Sequence, residues 1–316
     1  MSVRDLTILG CASQVPTRHR NHNGYLLRWD EEGILFDPGE GTQRQFILAR
    51  LSPTTITRIF ISHFHGDHSL GLAGIFQRLS LDGVEHTVHV YYPACGQQFL
   101  DRLRTSTSYH DRLTTRYHPV EGDGVIDECA AFTIEARALK HSIPAFGYRL
   151  VEPARRRFDP QRLADLGIRG PMVSELARDG SVVAEGRTVQ VDEVSELRPG
   201  AVFAFVMDTA ECPAAVELAR DADLLVIEST YLDSEAETAH EYGHLSVGQA
   251  CGIANQAGAR RAVFTHFSQR YPSVEPFKEA TAESFPNAII AEDMLRVDLR
   301  SGAVSRADEE EHQAEG

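Results

Sequence analysis

No apolar run in the 316-residue chain is long enough to cross a bilayer, which takes about 18 consecutive apolar residues. The opening MSVRDLTILGCASQ lacks the basic start and long apolar stretch of a secretory leader, so a cytoplasmic protein without a membrane partner is expected. Cysteine is sparse: Cys11, Cys95, Cys129, Cys212 and Cys251 are odd in number, scattered and free of any CxxC pair. Neither a disulfide framework nor a thiolate zinc site is indicated, and each reads as a small hydrophobe in a reducing cell. Positive charge is outnumbered, with 31 Lys and Arg against 46 Asp and Glu and a net charge of -15. Such a surface repels the phosphate backbone and argues against nonspecific nucleic-acid binding. Fixed-period repeats and long low-complexity linkers are missing too, and the length suits one large α/β domain or two small ones.

What is present begins with short apolar runs: LTILG, YLLRW, GILFD, RIFIS, HVYYP, FTIEARAL, FGYRLV, AVFAFVMD, DLLVIES, RAVFTHF and RVDLR. Several are continuously apolar, as in strands covered on both faces. Helical spacing falls between them at 69–80, 95–105, 213–221, 246–257 and 274–284. Stacked sheets with outer helices are therefore expected. Residues 152–199 break the pattern, being rich in charge, Gly and Pro and locally basic over PARRRFDPQRLADLGIRG. They read as an excursion: a short helix, a Gly-Pro turn and a small hairpin. The main domain is expected over 1–305 with this arm inserted, and 306–316, which holds DEEEHQAE, as an acidic, disordered tail.

One stretch carries chemistry. ISHFHGDHSLGLAG (61–74) crowds His63, His65, Asp67 and His68 into six positions. It joins the end of a buried strand to the start of an apolar helix, where α/β proteins place ligands. His63 and His65, two apart in an extended loop, can point to one side, and Asp67 and His68 to a second point where the chain turns. Imidazole and carboxylate are donors that zinc favours and manganese accepts. Two pairs of donors predict two metal ions. Further donors stand at other strand ends: His141 after EARALK, Asp208 after AVFAFVM and His266 after RAVFT. Asp208 is the natural bridge, since a carboxylate can give one oxygen to each ion.

HFHGDH matches the HxHxDH signature of the metallo-β-lactamase superfamily, whose later ligands are His, Asp and His in that order. The resemblance implies an α/β fold, an αβ/βα four-layer sandwich with a dinuclear site at one edge of its two sheets. Within that superfamily the chain resembles the ribonuclease Z family, endonucleases that remove the 3′ trailer from precursor tRNA and leave a 3′-OH. FDPGEGTQRQ (36–45) is similar to the family's first motif, and PTRHRN (16–21) to its Pro-Thr-x-x-Arg-Asn loop near the tRNA 3′ end. KHSIPAFGYRL, MDTAEC and THFSQRY carry the later His, Asp and His. LGIRGP followed by EGRTVQVDEV resembles the flexible arm that grips the tRNA elbow, which makes 152–199 an expected tRNA exosite. The likeness runs over roughly residues 1–300.

Carried over by position, the resemblance puts one Zn2+ on His63, His65 and His141 and another on Asp67, His68 and His266, with Asp208 shared: two Zn2+ per subunit. His244 in YGHLS resembles the family's acid for the leaving ribose oxygen, with Glu228 to orient it or raise its pKa. Asp67 borders the metals and is the candidate to take or orient the proton of the attacking water, a role compatible with ligation. A homodimer is implied, the arm of one subunit serving the site of the other. The chain departs from the family in two places: Glu175 and Asp179 stand in a part of the arm that is usually basic, and Ile227 replaces the His of His-Glu-Ala-Thr.

Two other readings compete. One is a dizinc hydrolase of the same fold acting on a small phosphodiester or other ester; the other is a metal-free RNA-binding scaffold. GEGT (39–42) is a phosphate cradle or a tight structural turn. Arg18, Arg44 and Arg270 are phosphate contacts or solvated surface, and Phe64 and Phe267 are packing residues. His19, His22, His86, His89, His110, His118 and His312 lack partner spacing and are assigned no role.

Overall fold

Side chains of the first strands divide between two apolar layers. In the computed structural model, which describes residues 3–309, Leu6, Ile8, Tyr25, Leu27, Ile34, Phe36 and Phe60 enter a central core, while Leu9, Leu26, Leu35 and Ile59 enter an outer one. Alternation with both faces buried is what makes these strands read as continuous apolar runs. They belong to an eight-stranded sheet in the order Val304–Arg306, Leu295–Asp298, Arg4–Gly10, Gly24–Trp29, Glu32–Phe36, Ile56–Phe60, Val88–Pro93 and Thr115–Val120. Facing it across the central core is a seven-stranded sheet in the order Ala288–Ile290, Ala262–Thr265, Leu224–Glu228, Val202–Val206, Ala145–Val151, Thr133–Leu139 and Gly124–Glu128.

Each sheet is antiparallel on one side and parallel on the other. The helices Thr42–Leu48, Leu72–Leu81 and Gln97–Arg104 bury their apolar faces in the outer core of the first sheet. Pro213–Ala219, Val247–Gln256 and Glu275–Ser284 join the core against the second. The result is the four-layer αβ/βα sandwich expected from the resemblance. Among the described residues no helix is long and apolar enough to cross a membrane. The five cysteines are free, Cys11 and Cys251 buried but Cys95 exposed, so the small-hydrophobe reading fails for Cys95.

The expected helices appear within a few residues of their limits. Missed were Thr115–Val120 and Gly124–Glu128, whose polar edge-strand sequences bury little, Thr42–Leu48, where the buried Gln45 and Thr42 mask the apolar face, and the short elements Ala236–Tyr242, Ala288–Ile290 and Val304–Arg306. The 152–199 excursion is richer than expected. The strands Arg155–Phe158 and Ser195–Arg198 pair as a stalk, and beyond them Pro160–Asp165 is followed by a second helix, Pro171–Asp179, with proline at its first turn. The hairpin Ser181–Ala184 with Arg187–Gln190 then packs Val182 and Val189 into a separate cluster with Leu163, Ile168 and Leu176. At the other end, the boundary drawn at 305 falls inside the last strand, and Ala307 is buried with its N–H bonded to Met294 O. Residues 310–316 of the expected acidic tail lie outside the described residues.

Candidate metal centre

Every donor named from the sequence cluster stands just past a strand whose carboxyl end faces the same edge of the sandwich. Ile56–Phe60 leads to His63, Val202–Val206 to Asp208, Ala262–Thr265 to His266 and Thr133–Leu139 to His141. The turn HFHGDH carries His65 into the one-turn helix Gly66–Ser69, which presents Asp67 and His68. Asp208 and His266 adopt left-handed backbone, φ 35° and 66°, a conformation that costs of order 1–3 kcal/mol in a residue with a side chain and clusters at functional sites.

The structure brings all seven together. His63, His65, His141 and Asp208 form one group and Asp67, His68 and His266 another, with donor atoms in each within 4.8 Å of one another. Asp208 faces both: Oδ2 lies 3.5, 3.7 and 3.3 Å from Nε2 of His63, His141 and His68, and Oδ1 lies 3.1 Å from His266 Nε2. Asp67 Oδ2 is 3.2 Å from His68 Nε2 and 3.5 Å from His266 Nε2.

The outward-facing ring nitrogens fix the tautomers. Ser62 Oγ donates to Asp37 Oδ2 at 2.6 Å, so it accepts from His63 Nδ1 at 3.0 Å. His68 Nδ1 donates to the same Asp37 oxygen at 2.8 Å, and His141 Nδ1 to Gly243 O at 3.0 Å. His266 Nδ1 donates to Thr230 Oγ1 at 2.7 Å, whose own proton goes to Glu228 Oε2 at 2.6 Å. Four rings are thereby left with the Nε2 lone pair pointing inward. His65 turns Nδ1 inward instead, 2.9 Å from His63 Nε2 and 3.3 Å from His141 Nε2.

Lone pairs at that spacing repel unless a cation lies among them, and the buried Asp208 Oδ1 and His266 Nε2 have no hydrogen-bond partner. The residues present therefore fit divalent ions of the nitrogen- and oxygen-seeking class. The electrostatics agree. Burial pushes His63 well below the usual imidazole pKa, helped by the neighbouring His68. Burial also opposes charge on His68, yet Asp208 and Asp67 hold its pKa well above the usual value. Asp67 is held far below the carboxylate range, against its burial, by His68 and His266. The centre calls for positive charge.

His244 and Glu228 complete the edge. Glu228 is fully buried and accepts four donors: Thr209 N at 2.7 Å and His244 Nδ1 at 3.0 Å on Oε1, Thr230 Oγ1 at 2.6 Å and Leu245 N at 3.1 Å on Oε2. Burial works against a charge on His244, but Glu228 and then Asp208 outweigh it and push the ring up to about 9. The preceding Gly243 adopts φ 73°, which aims its carbonyl at His141, and a Cβ there would sit 3.2 Å from His141 Nδ1. His65, Asp67, His141, Asp208 and His266 line an open cleft of about 660 Å³ with His244, Leu70, Tyr231 and Tyr242.

Sequence reasoning missed the residues that orient the donors. Asp37 carried a usable signal: like Asp208, it is a carboxylate that ends an apolar strand. Ser62 and Thr230 carried none. In GEGT, Gly39 packs behind the metal loop, where a Cβ would meet Asp67 O at 2.1 Å. Phe267 packs on Phe277, and Phe64 on Tyr92 and Phe99. Arg270 lies over the Tyr231 ring and pairs with Glu235 at the cleft, whereas Arg18 and Arg44 line a different cavity. Ile227 is buried in the central core.

Comparison with known proteins places these features in context. Residues 17–166 match the metallo-beta-lactamase superfamily, and residues 191–267 the beta-lactamase superfamily domain. The chain is 56% identical to ribonuclease Z of Nocardia farcinica, covering 95% of this chain and 99% of that one. It is 49% identical to ribonuclease Z of Protochlamydia amoebophila, over 95% and 100% respectively. Among solved structures, the short form of human tRNase Z superposes with a TM-score of 0.69 at 25% identity, covering 93% of this chain and 99% of the human one.

Proposed function

The chain belongs to the ribonuclease Z family of the metallo-β-lactamase superfamily, and on that premise we propose that it is a zinc-dependent endoribonuclease that removes the 3′ trailer from precursor tRNA by phosphodiester hydrolysis. The observation that carries the reading is the set of five inward-facing imidazole nitrogens around Asp208, each backed by an outer partner or aimed at its neighbours. His63, His65 and His141 would hold one ion and Asp67, His68 and His266 a second, with Asp208 shared. Zinc is favoured by the donor set, and manganese suits the same donors. When bound, such ions supply Lewis acidity to a phosphate oxygen and lower the pKa of water.

The chain's own residues do the rest. Asp67, ionised at neutral pH, orients the attacking water or takes its proton. Attack at phosphorus breaks the bond to the ribose O3′, so the trailer keeps the phosphate and the tRNA ends in a 3′-OH. His244, held protonated by Glu228, gives its proton to that departing oxygen. Glu228 acts through His244 and also, by way of Thr230, on the orientation of His266.

The arm is the proposed tRNA exosite. Arg155, Arg156 and Arg157 are consecutive and exposed on its stalk, Arg155 pairing with Glu152 and Arg156 with Asp192, a locally basic segment on an acidic chain. A homodimer, with the arm reaching the partner's cleft, and a cytoplasmic location complete the proposal. An end-labelled precursor tRNA with a 3′ trailer, run beside bis(p-nitrophenyl) phosphate, tests it. A single cut after the discriminator base is expected, with a 3′-OH on the tRNA. Hydrolysis of the diester alone would replace the proposal with a small-substrate hydrolase of the same fold.

A further inference from the structure

The two sheets end side by side in strands that the sequence concealed, Thr115–Val120 in the first and Gly124–Glu128 in the second. Strand register sets His89 and His118 together: Tyr91 pairs with His118, and His89, two residues before Tyr91, shares its face. His89 Nδ1 and His118 Nε2 stand 3.0 Å apart, with the rings stacked at a centroid distance of 5.1 Å. A carboxylate oxygen of Asp127, reaching across from the second sheet, completes three donor atoms within 4.8 Å of one another. The nitrogen spacing is that of the seven-residue centre, where the corresponding pairs lie at 2.9 and 3.3 Å.

The surroundings resemble a built site. Tyr91 Oη donates to Asp127 Oδ2 and accepts from Arg58 Nη1 at 2.8 Å, which orients the carboxylate from behind. Arg58 pairs with Glu32 at 3.2 Å and, more distantly, with Asp127 at 3.9 Å, so its charge is shared between the two carboxylates while Asp127 also faces the two rings. Burial, then the nearby Arg58 for His89, hold both imidazoles below their usual pKa and so able to offer lone pairs at neutral pH. Asp127 accepts from Glu128 N at 2.8 Å on Oδ1 and from Tyr91 Oη on Oδ2, which leaves lone pairs on both oxygens for an ion.

We propose that His89, His118 and Asp127 form a separate metal site for one divalent ion of the zinc class, with water completing its coordination, and that the bound ion clasps the free edges of the two sheets. Two imidazoles and a carboxylate are a donor set that zinc takes readily. The site is structural: it touches neither the cleft nor the residues assigned to cleavage.

The test is metal content after equilibration with Zn2+ and desalting, wild type against His89→Gln/His118→Gln. The double variant is expected to hold one ion fewer per chain and to cut precursor tRNA within about two-fold of wild type. Because the difference is read and not the total, the result stands whether or not the cleavage centre holds the ions proposed for it. Equal metal content in the two proteins would overturn the site. Asp127→Asn, which keeps both rings, serves if the double variant does not fold, and the same one-ion loss is expected. A second readout bears on the clasp: with Asp208→Ala as background, added Zn2+ should raise the thermal midpoint, and His118→Gln should reduce the rise. An unchanged rise would refute the clasp.

Discussion

Replacing Glu228 by Gln removes the charge that keeps His244 protonated while leaving the shape of the side chain. In the wild type the ring sits at about 9 with Glu228 as the largest partner raising it. Without that charge burial still lowers the ring and Asp208 still raises it; a return to the ordinary imidazole value of about 6.5 is a change of about 2.5 units. At pH 8 the protonated fraction would fall from about nine-tenths to about 3%, a loss of up to about 30-fold in the rate of a step that needs the acid. At pH 6 both proteins remain largely protonated, and the loss should stay within about two-fold. The sign is that of an acid: activity persists below the ring's pKa and disappears as pH rises through it. The substitution also costs stability, because all four groups around Glu228 are donors and the amide NH2 must face at least one of them. That mismatch is worth about 1–3 kcal/mol. Single-turnover cleavage of precursor tRNA between pH 6 and 9 is the assay, with thermal melts alongside. A loss equal at every pH would assign Glu228 to the fold alone, and an unchanged profile would refute the acid role of His244.

Three further outcomes follow from other parts of the structure. Asp37→Asn sets an amide against the His68 Nδ1–H and should weaken metal binding about 10–100-fold, read as the chelator concentration that inactivates the enzyme. Burial pushes Asp293 up to about 6; a carboxyl so raised stabilises the fold below about pH 4, and that contribution is lost as pH rises through 6. Asp293→Asn should therefore gain on wild type by up to about 3 kcal/mol between pH 4 and 7, measured by denaturant unfolding, and a pH-independent difference would contradict it. Exchanging 153–199 for a short linker should raise KM for precursor tRNA and spare a small diester. The arm's ends abut, since a Cβ on Gly200 would meet Glu152 O at 2.0 Å; equal loss on both substrates would mean that the arm supports the fold.

The metal donors were legible because His63, His65, Asp67 and His68 crowd one short loop and His141, Asp208 and His266 are polar residues just past strand ends, local signals that a single sequence displays. Asp37 shows the same signal and could have been found by it. The hydroxyls of Ser62 and Thr230 could not, since their meaning lies in partners such as His266, 36 residues from Thr230. His89 and His118 looked isolated for the same reason: they are 29 residues apart and meet only through the pairing of adjacent parallel strands. The layers of the fold were legible from buried runs such as AVFAFVMD, whereas edge strands such as TRYHPV bury too little to be seen. The arm's second helix was hidden behind Gly170 and Pro171, which read as a turn and turned out to be a helix start.

Cleavage of a precursor tRNA by metal-stripped and zinc-restored protein, wild type beside Asp208→Ala, tests the central claim most directly. The account predicts that stripped wild type is inactive, that zinc restores one cut at the 3′ end of the tRNA, and that Asp208→Ala stays inactive with zinc present. Trailer removal by the stripped wild type, or by Asp208→Ala at the wild-type rate, would contradict it.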